Sequence, residues 1–334
     1  MTQGVFHSLG ATLAPAAGQS VLGGVLYGTS ADLERVAGPA ALLRVSAPVL
    51  GEAPGAGSVL LSAAPLTHGQ HGPVHFSCSD ELFFGVLQLD EADESGGLHA
   101  LSARAYAAIF AALDAHGYPT LLRAWNYLPD INRETEGLER YRQFNAGRQE
   151  AFAASQRPLS GKVPAACALG TRAGGLSIAF LGSVTPFVPV ENPRQVSAYH
   201  YPREYGERSP TFSRAGLTRI GGRDVLFISG TAAIVGHQSL HGDDVLAQTD
   251  ETLVNLAAVV EAANAYPSAL RHSLRSLDYT VYVRHAADAP AVMARVREAV
   301  GPAARMVCVR ADVCRSELLV EIEAVGGLPA GANE

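Results

Sequence analysis

One unit of secondary structure can be read twice along the chain, and any fold proposed for it must hold that unit two times. In the later copy, residues 225–230 are a short apolar run ended by glycine, which reads as a buried strand. Asp243 or Asp244 then caps a long helix in which Leu246, Leu253, Leu256 and Val260 share one stripe. Residues 277–283 are strand-like, with Tyr279, Val281 and Val283 alternating. Pro290 opens a second helix, 291–300, stopped by Gly301 and Pro302. Strands at 305–310 and 318–324 complete the order β-α-β-α-β-β. About 140 to 155 residues earlier, the same order is filled by 82–88, 99–116, 121–128, 138–152, 165–171 and 176–184. The pattern predicts an α+β fold from a divergent tandem duplication, roughly residues 70–185 and 215–326, with mixed sheets backed by helices.

Residues 1–65 carry strand-like pieces at 21–27 and 42–50, broken by a Pro/Gly-rich stretch at 53–57. They read as an N-terminal extension that completes the first unit. Between the units, residues 190–210 hold Tyr199, Tyr201 and Tyr205 beside Arg194, Arg203 and Arg208, with Arg214 just beyond and no hydrophobic period. Aromatic and guanidinium groups are not spacer residues. They either pack between domains with the arginines solvated, or form a substrate loop at a junction where pockets commonly occur. The expected organisation is an N-terminal domain over 1–189, a connecting substrate loop over 190–214, a C-terminal domain over 215–326 and a tail over 327–334.

Composition narrows the function classes. A chain of 334 residues with 48% hydrophobic and 17% charged residues suits well-packed globular domains rather than disorder. The net charge of −7 has no long run of either sign, which speaks against nucleic-acid binding. Lys162 is the only lysine, so nearly all positive charge is arginine, the residue best shaped to hold a carboxylate through two hydrogen bonds. Cys78, Cys167, Cys308 and Cys314 are isolated, with no zinc-ligand spacing, and read as reduced thiols. The N-terminus has no signal-peptide pattern and no run of 18 apolar residues occurs, so a cytoplasmic protein without a membrane partner is expected. No phosphate loop, dinucleotide fingerprint or metal cluster is present in the sequence, and neither cofactor nor metal is expected.

The second unit resembles the YjgF/RidA family through residues 227–230, 247–256, Tyr279 to Val283 and Val320 to Ala324, in that family's order and spacing. The resemblance implies a barrel-like trimeric arrangement with sites in the clefts between units. It also implies a carboxylate-binding role for Arg305 and a cleft position for Glu321. Cys308 falls one position later than the family's cleft cysteine, so that role is not carried over. The whole chain resembles the chorismatases. The carrying segments are Arg123 to Tyr127, Glu139 to Arg148, the 191–210 loop, Ser229 to His237 and Ala311 to Glu323. This resemblance implies chorismate as substrate and pyruvate as one product. The other product differs within the family: a dihydroxycyclohexadiene acid, or 3-hydroxybenzoate alone or with 4-hydroxybenzoate.

Chorismate carries two carboxylates and an enol ether, which sets the chemistry asked of the residues. Two carboxylates need fixed cations, with Arg148, Arg203 and Arg305 as candidates, and Tyr201 and Tyr205 as donors or ring-packing groups. Cleaving the enol ether needs a proton on its methylene carbon, from an acid whose pKa is raised by burial. Glu321 stands among apolar residues in 318–323, and strand alternation puts it on one face with Glu323. Without the family match, both would read as solvated carboxylates on a wet edge. With it, Glu321 is the expected general acid. A cysteine at 314 resembles the aromatic-forming chorismatases, as does a small residue at Ala233, so the expected product is 3-hydroxybenzoate, with some 4-hydroxybenzoate allowed. Two competing readings stand beside this one: a RidA-type imine deaminase using Arg305 and Glu321, and an inactive binding protein on the duplicated fold. The duplication leaves both a monomer and a homotrimer open.

Overall fold

The computed structural model describes residues 4–10, 15–29, 41–51 and 55–331. Four strands come first: β1 (Val5–Gly10), β2 (Ser20–Gly28), β3 (Ala41–Ser46) and β4 (Gly55–Ser62), paired in the order β1-β4-β2-β3. The extension expected to complete the first unit instead closes its ladder on itself, because β4 pairs along both β1 and β2. Residues beyond β3 leave this sheet, and Leu50 donates its N–H to the Cys308 carbonyl of the second unit.

The first unit contains β5 (Thr67–His71), β6 (Val74–Cys78), β7 (Leu82–Leu89), α1 (Gly97–His116), β8 (Thr120–Pro129), a small hairpin of β9 (Glu134–Thr135) and β10 (Leu138–Glu139), α2 (Arg140–Ala154), β11 (Ala165–Thr171) and β12 (Leu176–Ser183). The second contains β13 (Val188–Val190), β14 (Ala215–Ile220), β15 (Arg223–Thr231), the hairpin β16 (Ile234–Val235) and β17 (Gln238–Ser239), α3 (Val245–Asn264), β18 (Leu277–Val283), α4 (Ala289–Val300), β19 (Met306–Arg310) and β20 (Val320–Gly326). Their six-stranded sheets have the same order, β11-β8-β12-β7-β6-β5 and β19-β18-β20-β15-β14-β13. In each, the one parallel pair, β8 with β11 and β18 with β19, is spanned by the second helix, since a parallel connection must cross the length of the sheet. The duplicated α+β fold read from periodicity is the fold observed.

The helix ends follow from local chemistry. Asp244 caps α3 by accepting from the backbone N–H groups of Leu246 and Ala247, both at 3.0 Å. Gly117 closes α1 in the left-handed conformation, φ 81°. The α1–α2 contact is close enough that a Cβ on Gly147 would lie 2.0 Å from the His99 carbonyl oxygen, so only glycine fits there.

The N-terminal sheet repeats four consecutive strands of each unit, β11-β8-β12-β7 and β19-β18-β20-β15: β2 runs parallel to β3, and β4 lies between β1 and β2. The three sheets close into a ring. The edge strand β11 meets β15, β19 meets β1, and β3 meets β7. One tyrosine from the second strand of each, Tyr27, Tyr127 and Tyr282, reaches the middle, where the three hydroxyls are mutually hydrogen-bonded at 2.9, 2.9 and 3.2 Å. The largest apolar core draws on all three sheets around these tyrosines. A single chain thus builds an internal approximate three-fold with three clefts.

Candidate active site

The last strand sets the site. On β20, Glu321 stands opposite Tyr282 and Glu323 opposite Thr280, so both carboxyls share the face turned toward the first unit. On the other side of β20, the ladder to β15 runs Ile228 with Ala324 and then Thr231 with Ile322. Ser229 and Gly230 together oppose Glu323 alone, a β-bulge of the kind that re-aims side chains beside active sites. Ser229 secures the bulge to the first unit: its hydroxyl donates to the Ser213 carbonyl at 2.6 Å and accepts from the Ala166 N–H at 2.9 Å. Gly230 leaves room for the acid, since a Cβ there would lie 1.8 Å from Glu321 Oε1.

The two carboxyls are treated differently by their surroundings. Glu323 is ion-paired with Arg123 of β8 and accepts from the Tyr282 hydroxyl at 3.0 Å. Glu321 has no hydrogen-bond partner among the described residues and is 4% exposed. Burial, with the neighbouring Glu323 charge adding to it, pushes the Glu321 carboxyl up to about 8, against the opposing pull of Arg123 and Arg214. It therefore keeps its proton at neutral pH.

Glu321 and Gly230 form the floor of a cavity of about 210 Å³ between the units. Three arginines line it. Arg214, just before β14, is buried and donates to the Tyr201 hydroxyl at 2.7 Å and to the Val196 carbonyl at 2.9 Å, while its Nε has no partner. Arg315 lies over the Tyr205 ring, 4.0 Å from its centroid, and donates to the His237 carbonyl and Ser239, leaving Nη2 buried without a partner. Arg142 of α2 forms a 3.3 Å pair with Glu139 across one helical turn. Two of the three cations thus keep a buried N–H group for an incoming acceptor, which costs free energy until one arrives. Cys314 lines the wall on the loop between β19 and β20. Burial first, then the Glu321 charge, push its thiol up to about 12, so it is a neutral S–H. Its loop is clamped by Arg284, which donates to the carbonyls of Val313, Arg315 and Leu318 and to Asp312.

Of the residues singled out in the sequence, Glu321, Cys314, Tyr201 and Tyr205 come together around the cavity. Four do not line it. Arg305 is held in a two-pronged pair by Asp278 and also donates to the His7 carbonyl at 3.0 Å, in the cleft between the second unit and the N-terminal sheet. Its charge is spent there, which also removes the carboxylate anchor of the imine-deaminase reading. Arg148 is buried under Tyr106, Phe144 and Phe152 and donates to the Thr211 carbonyl, holding the 190–214 loop from behind. Arg203 is exposed outside the cavity. Ala233 is buried in a small apolar cluster with Val313 and Leu318, while its neighbour Ala232 faces the cavity. The sequence reading missed Arg142 and Arg315 and only noted Arg214. All three lie within or beside segments that carry the family resemblance, at 139–148, 191–210 and 311–323.

The other two clefts lack the acid. With the three tyrosines aligned, the positions of Glu321 and Glu323 are taken by Ser177 and Ala179 in the first unit and by Ala56 and Ser58 in the N-terminal sheet. Among the described residues, one cleft therefore carries the paired acids.

The site thus sets a buried carboxyl with a raised pKa at the bottom of a pocket walled by arginines and tyrosines, groups able to give a proton and to hold an anion. Residues 58–182 match the family described as "Chorismatase FkbO/Hyg5-like, N-terminal". A 3-hydroxybenzoate synthase of Streptomyces hygroscopicus is 35% identical over 333 residues, covering 96% of this chain and 95% of the relative. A chorismatase of Streptomyces rapamycinicus is 38% identical over 270 residues, covering 78% of this chain and 79% of its own. A crystal structure of a chorismatase superimposes with a TM-score of 0.86 at 30% identity, covering 97% and 98% of the two chains. The chain belongs to the chorismatase family.

Proposed function

We propose that the protein removes pyruvate from chorismate and releases 3-hydroxybenzoate, with Glu321 as the general acid. The observation that carries this reading is Glu321 itself: a buried carboxyl without a hydrogen-bond partner among the described residues, pushed up to about 8 by that burial, at the floor of an arginine-walled cavity. Arg214 and Arg315, each with a buried N–H group still unsatisfied, are the proposed anchors for the two substrate carboxylates, with Arg142 at the rim. Tyr201 and Tyr205, already stacked against Arg214 and Arg315, then flank the ring.

Protonation of the enol ether's methylene carbon by Glu321 gives an oxocarbenium ion beside the carboxylate left behind. The neighbouring ring hydroxyl adds to that cation and returns its proton to the carboxylate. The ring C–O bond to the added oxygen and the old ether bond to the pyruvyl carbon then both break as the ring carbon that bears the ether oxygen loses its proton. Pyruvate leaves with the added oxygen as its ketone, and the ether oxygen stays on the ring as the 3-hydroxyl. Hydroxybenzoate plus pyruvate together have the atoms of chorismate, so the aromatic product needs no water, whereas the diene diol needs one. Cys314 presents a neutral thiol on the wall of the same cavity and fills space that a water would otherwise take. The similarity over nearly the full length to a protein named 3-hydroxybenzoate synthase supports the same product here. We also propose that it works as a monomer in the cytoplasm, since the N-terminal sheet already occupies the third place in the ring. The test is incubation of purified protein with chorismate, with pyruvate and the ring product quantified by chromatography. Equal amounts of pyruvate and 3-hydroxybenzoate are expected, diol would overturn the product assignment, and unconsumed chorismate would overturn the function.

A further inference from the structure

Glu323 does not line the cavity, yet it is the most heavily tethered acid near it. Arg123 reaches it across the unit boundary, from a residue 200 positions away, and the Tyr282 hydroxyl donates to its other oxygen at 3.0 Å. Tyr282 is in turn bonded to Tyr27 and Tyr127, so one carboxylate is fixed by all three sheets. The Arg123 guanidinium packs over the Trp125 ring, 5.1 Å from its centroid. A buried ion pair of this kind is weak evidence for stability, because desolvation offsets much of the attraction. Its position suggests a different use.

We propose that Glu323 is a positioning residue for the reaction proposed above: a fixed anion, clamped by Arg123 and Tyr282, that holds the proton on Glu321 until substrate takes it. The two carboxyls are two residues apart on one strand face, so the charge fixed on Glu323 opposes a second charge on Glu321. After proton transfer, the same anion adds to the field that favours the oxocarbenium ion. The other groups facing Glu321 are Arg123 from β8, Cys167 from β11, Tyr141 from α2, Arg214 ahead of β14 and Cys314 from the loop before β20. Burial keeps Cys167, Tyr141 and Cys314 neutral; Glu139, Glu317, Arg142 and Arg315 line the same cavity, but the charges that shift Glu321 are Glu323 in one direction and Arg123 and Arg214 in the other. The pairing is confined to this cleft. At the position of Arg123 relative to the axial tyrosine, the second unit has Asp278 and the N-terminal sheet has Gly23. At the position of Glu323 the other sheets have Ala179 and Ser58. The clamp occurs only where the acid occurs.

The inference rests on Glu321 being the acid, and its test separates the two ideas. Glu323→Gln removes the anion and leaves Arg123 uncompensated, so the basic limb of the kcat/KM profile should move to lower pH by roughly one unit or more. Turnover should return to within a few-fold of wild type at acidic pH, with KM little changed. Glu323→Asp keeps the charge and should keep the limb where wild type has it. Depression of turnover by the same factor at every pH, with the limb unmoved, would overturn the proposal and make Glu323 a packing residue. Should Glu323→Gln fail to fold, infrared difference spectra of Glu321→Gln decide the matter without reference to turnover. With Glu139→Gln and Glu191→Gln added, because burial also pushes those two carboxyls up, no protonated buried carboxyl should appear between about pH 5 and 9 in that variant. A carboxyl that still titrates there would show that Glu323 is not a fixed anion. If wild type consumes no chorismate, the functional reading falls, while the infrared result still reports on the clamp.

Discussion

Gly230 and Glu321 face each other across the β15 bulge so closely that a side chain on the first displaces the second: the distance from a Cβ at 230 to Oε1 of Glu321 would be 1.8 Å. The bulge brings the backbone of β15 under the carboxyl and makes glycine a requirement of the acid's position. Gly230→Ala should therefore leave the fold intact and move the carboxyl by about an ångström, which costs roughly a hundredfold in turnover. Unchanged kcat with a normal thermal transition would show that Glu321 reaches the substrate from another rotamer.

Glu321→Gln should lose two or more orders of magnitude in kcat at every pH while keeping affinity for an unreactive chorismate analogue. Stability supplies an independent sign. The carboxyl stands at about 8 in the fold against 4.5 for the ordinary group, so the folded chain binds the extra proton across that window. Wild type should lose stability as pH rises from about 4.5 to 8 and level off above, whereas the glutamine variant lacks this slope. Melting curves at pH 5 and pH 8 check it: the gap between the two temperatures should be smaller in Glu321→Gln than in wild type.

For the carboxylate anchors, Arg214→Met keeps the packing against Tyr201 and Phe212 and removes the charge. A charge-assisted hydrogen bond contributes about 1.5–3 kcal/mol, so KM should rise on the order of 10- to 100-fold. Arg203→Ala, outside the cavity, should leave KM alone. A rise in KM from Arg203→Ala and none from Arg214→Met would reverse the assignment.

The repeated unit was legible because two different periods, 2 and 3.6, alternate in the same order twice, and pattern survives where identity does not. The third sheet was legible only in part: β2 and β3 fall on the strand-like pieces read at 21–27 and 42–50, whereas β4 starts Gly-Ala-Gly-Ser inside the stretch read as a break, so little alternation marks it. In the site, Glu321 and Cys314 were singled out through the family resemblance, since residue type and apolar setting alone left Glu321 reading as a solvated carboxylate and Cys314 as an isolated thiol. The arginines were not, because a sequence shows where a guanidinium is and not whether its charge is already taken. Arg305 meets Asp278 across two neighbouring parallel strands, and Arg148 meets a carbonyl 63 positions away, pairings without any local signal. Arg214 differs from Arg305 in donating its side-chain N–H groups to a hydroxyl and a carbonyl rather than a carboxylate, and from Arg148 in lining the cavity, both properties of the folded chain.

The closed ring bears on assembly. The edge strands β3, β11 and β19 are already met by β7, β15 and β1 of the next sheet, so among the described residues each of these three junctions is made within one chain. Sedimentation should give a monomer across the micromolar range, with full activity per chain at high dilution. A concentration-dependent trimer whose activity falls on dilution would mean that the site needs a second copy.

The product should turn on Cys314. Its thiol shares the cavity wall with Ser316 and Glu317 and stands near Glu321, whose charge is one cause of its raised pKa. A neutral thiol there is a small apolar wall against the ring, and the clamp from Arg284 keeps its loop from giving way. Cys314→Ala removes one heavy atom from a half-buried position and should cost about 1 kcal/mol in stability. The general acid is untouched, so pyruvate release should continue within a few-fold of wild type. The space left by sulfur admits a water on the side where the ring must stay dry, and the product should shift from 3-hydroxybenzoate toward the diene diol. The readout is the ratio of the two ring acids at equal pyruvate yield. An unchanged ratio would make Cys314 ordinary packing and place product choice on the cluster it packs against, at Ala232 and Ile234, where the segment after β15 lines the same cavity.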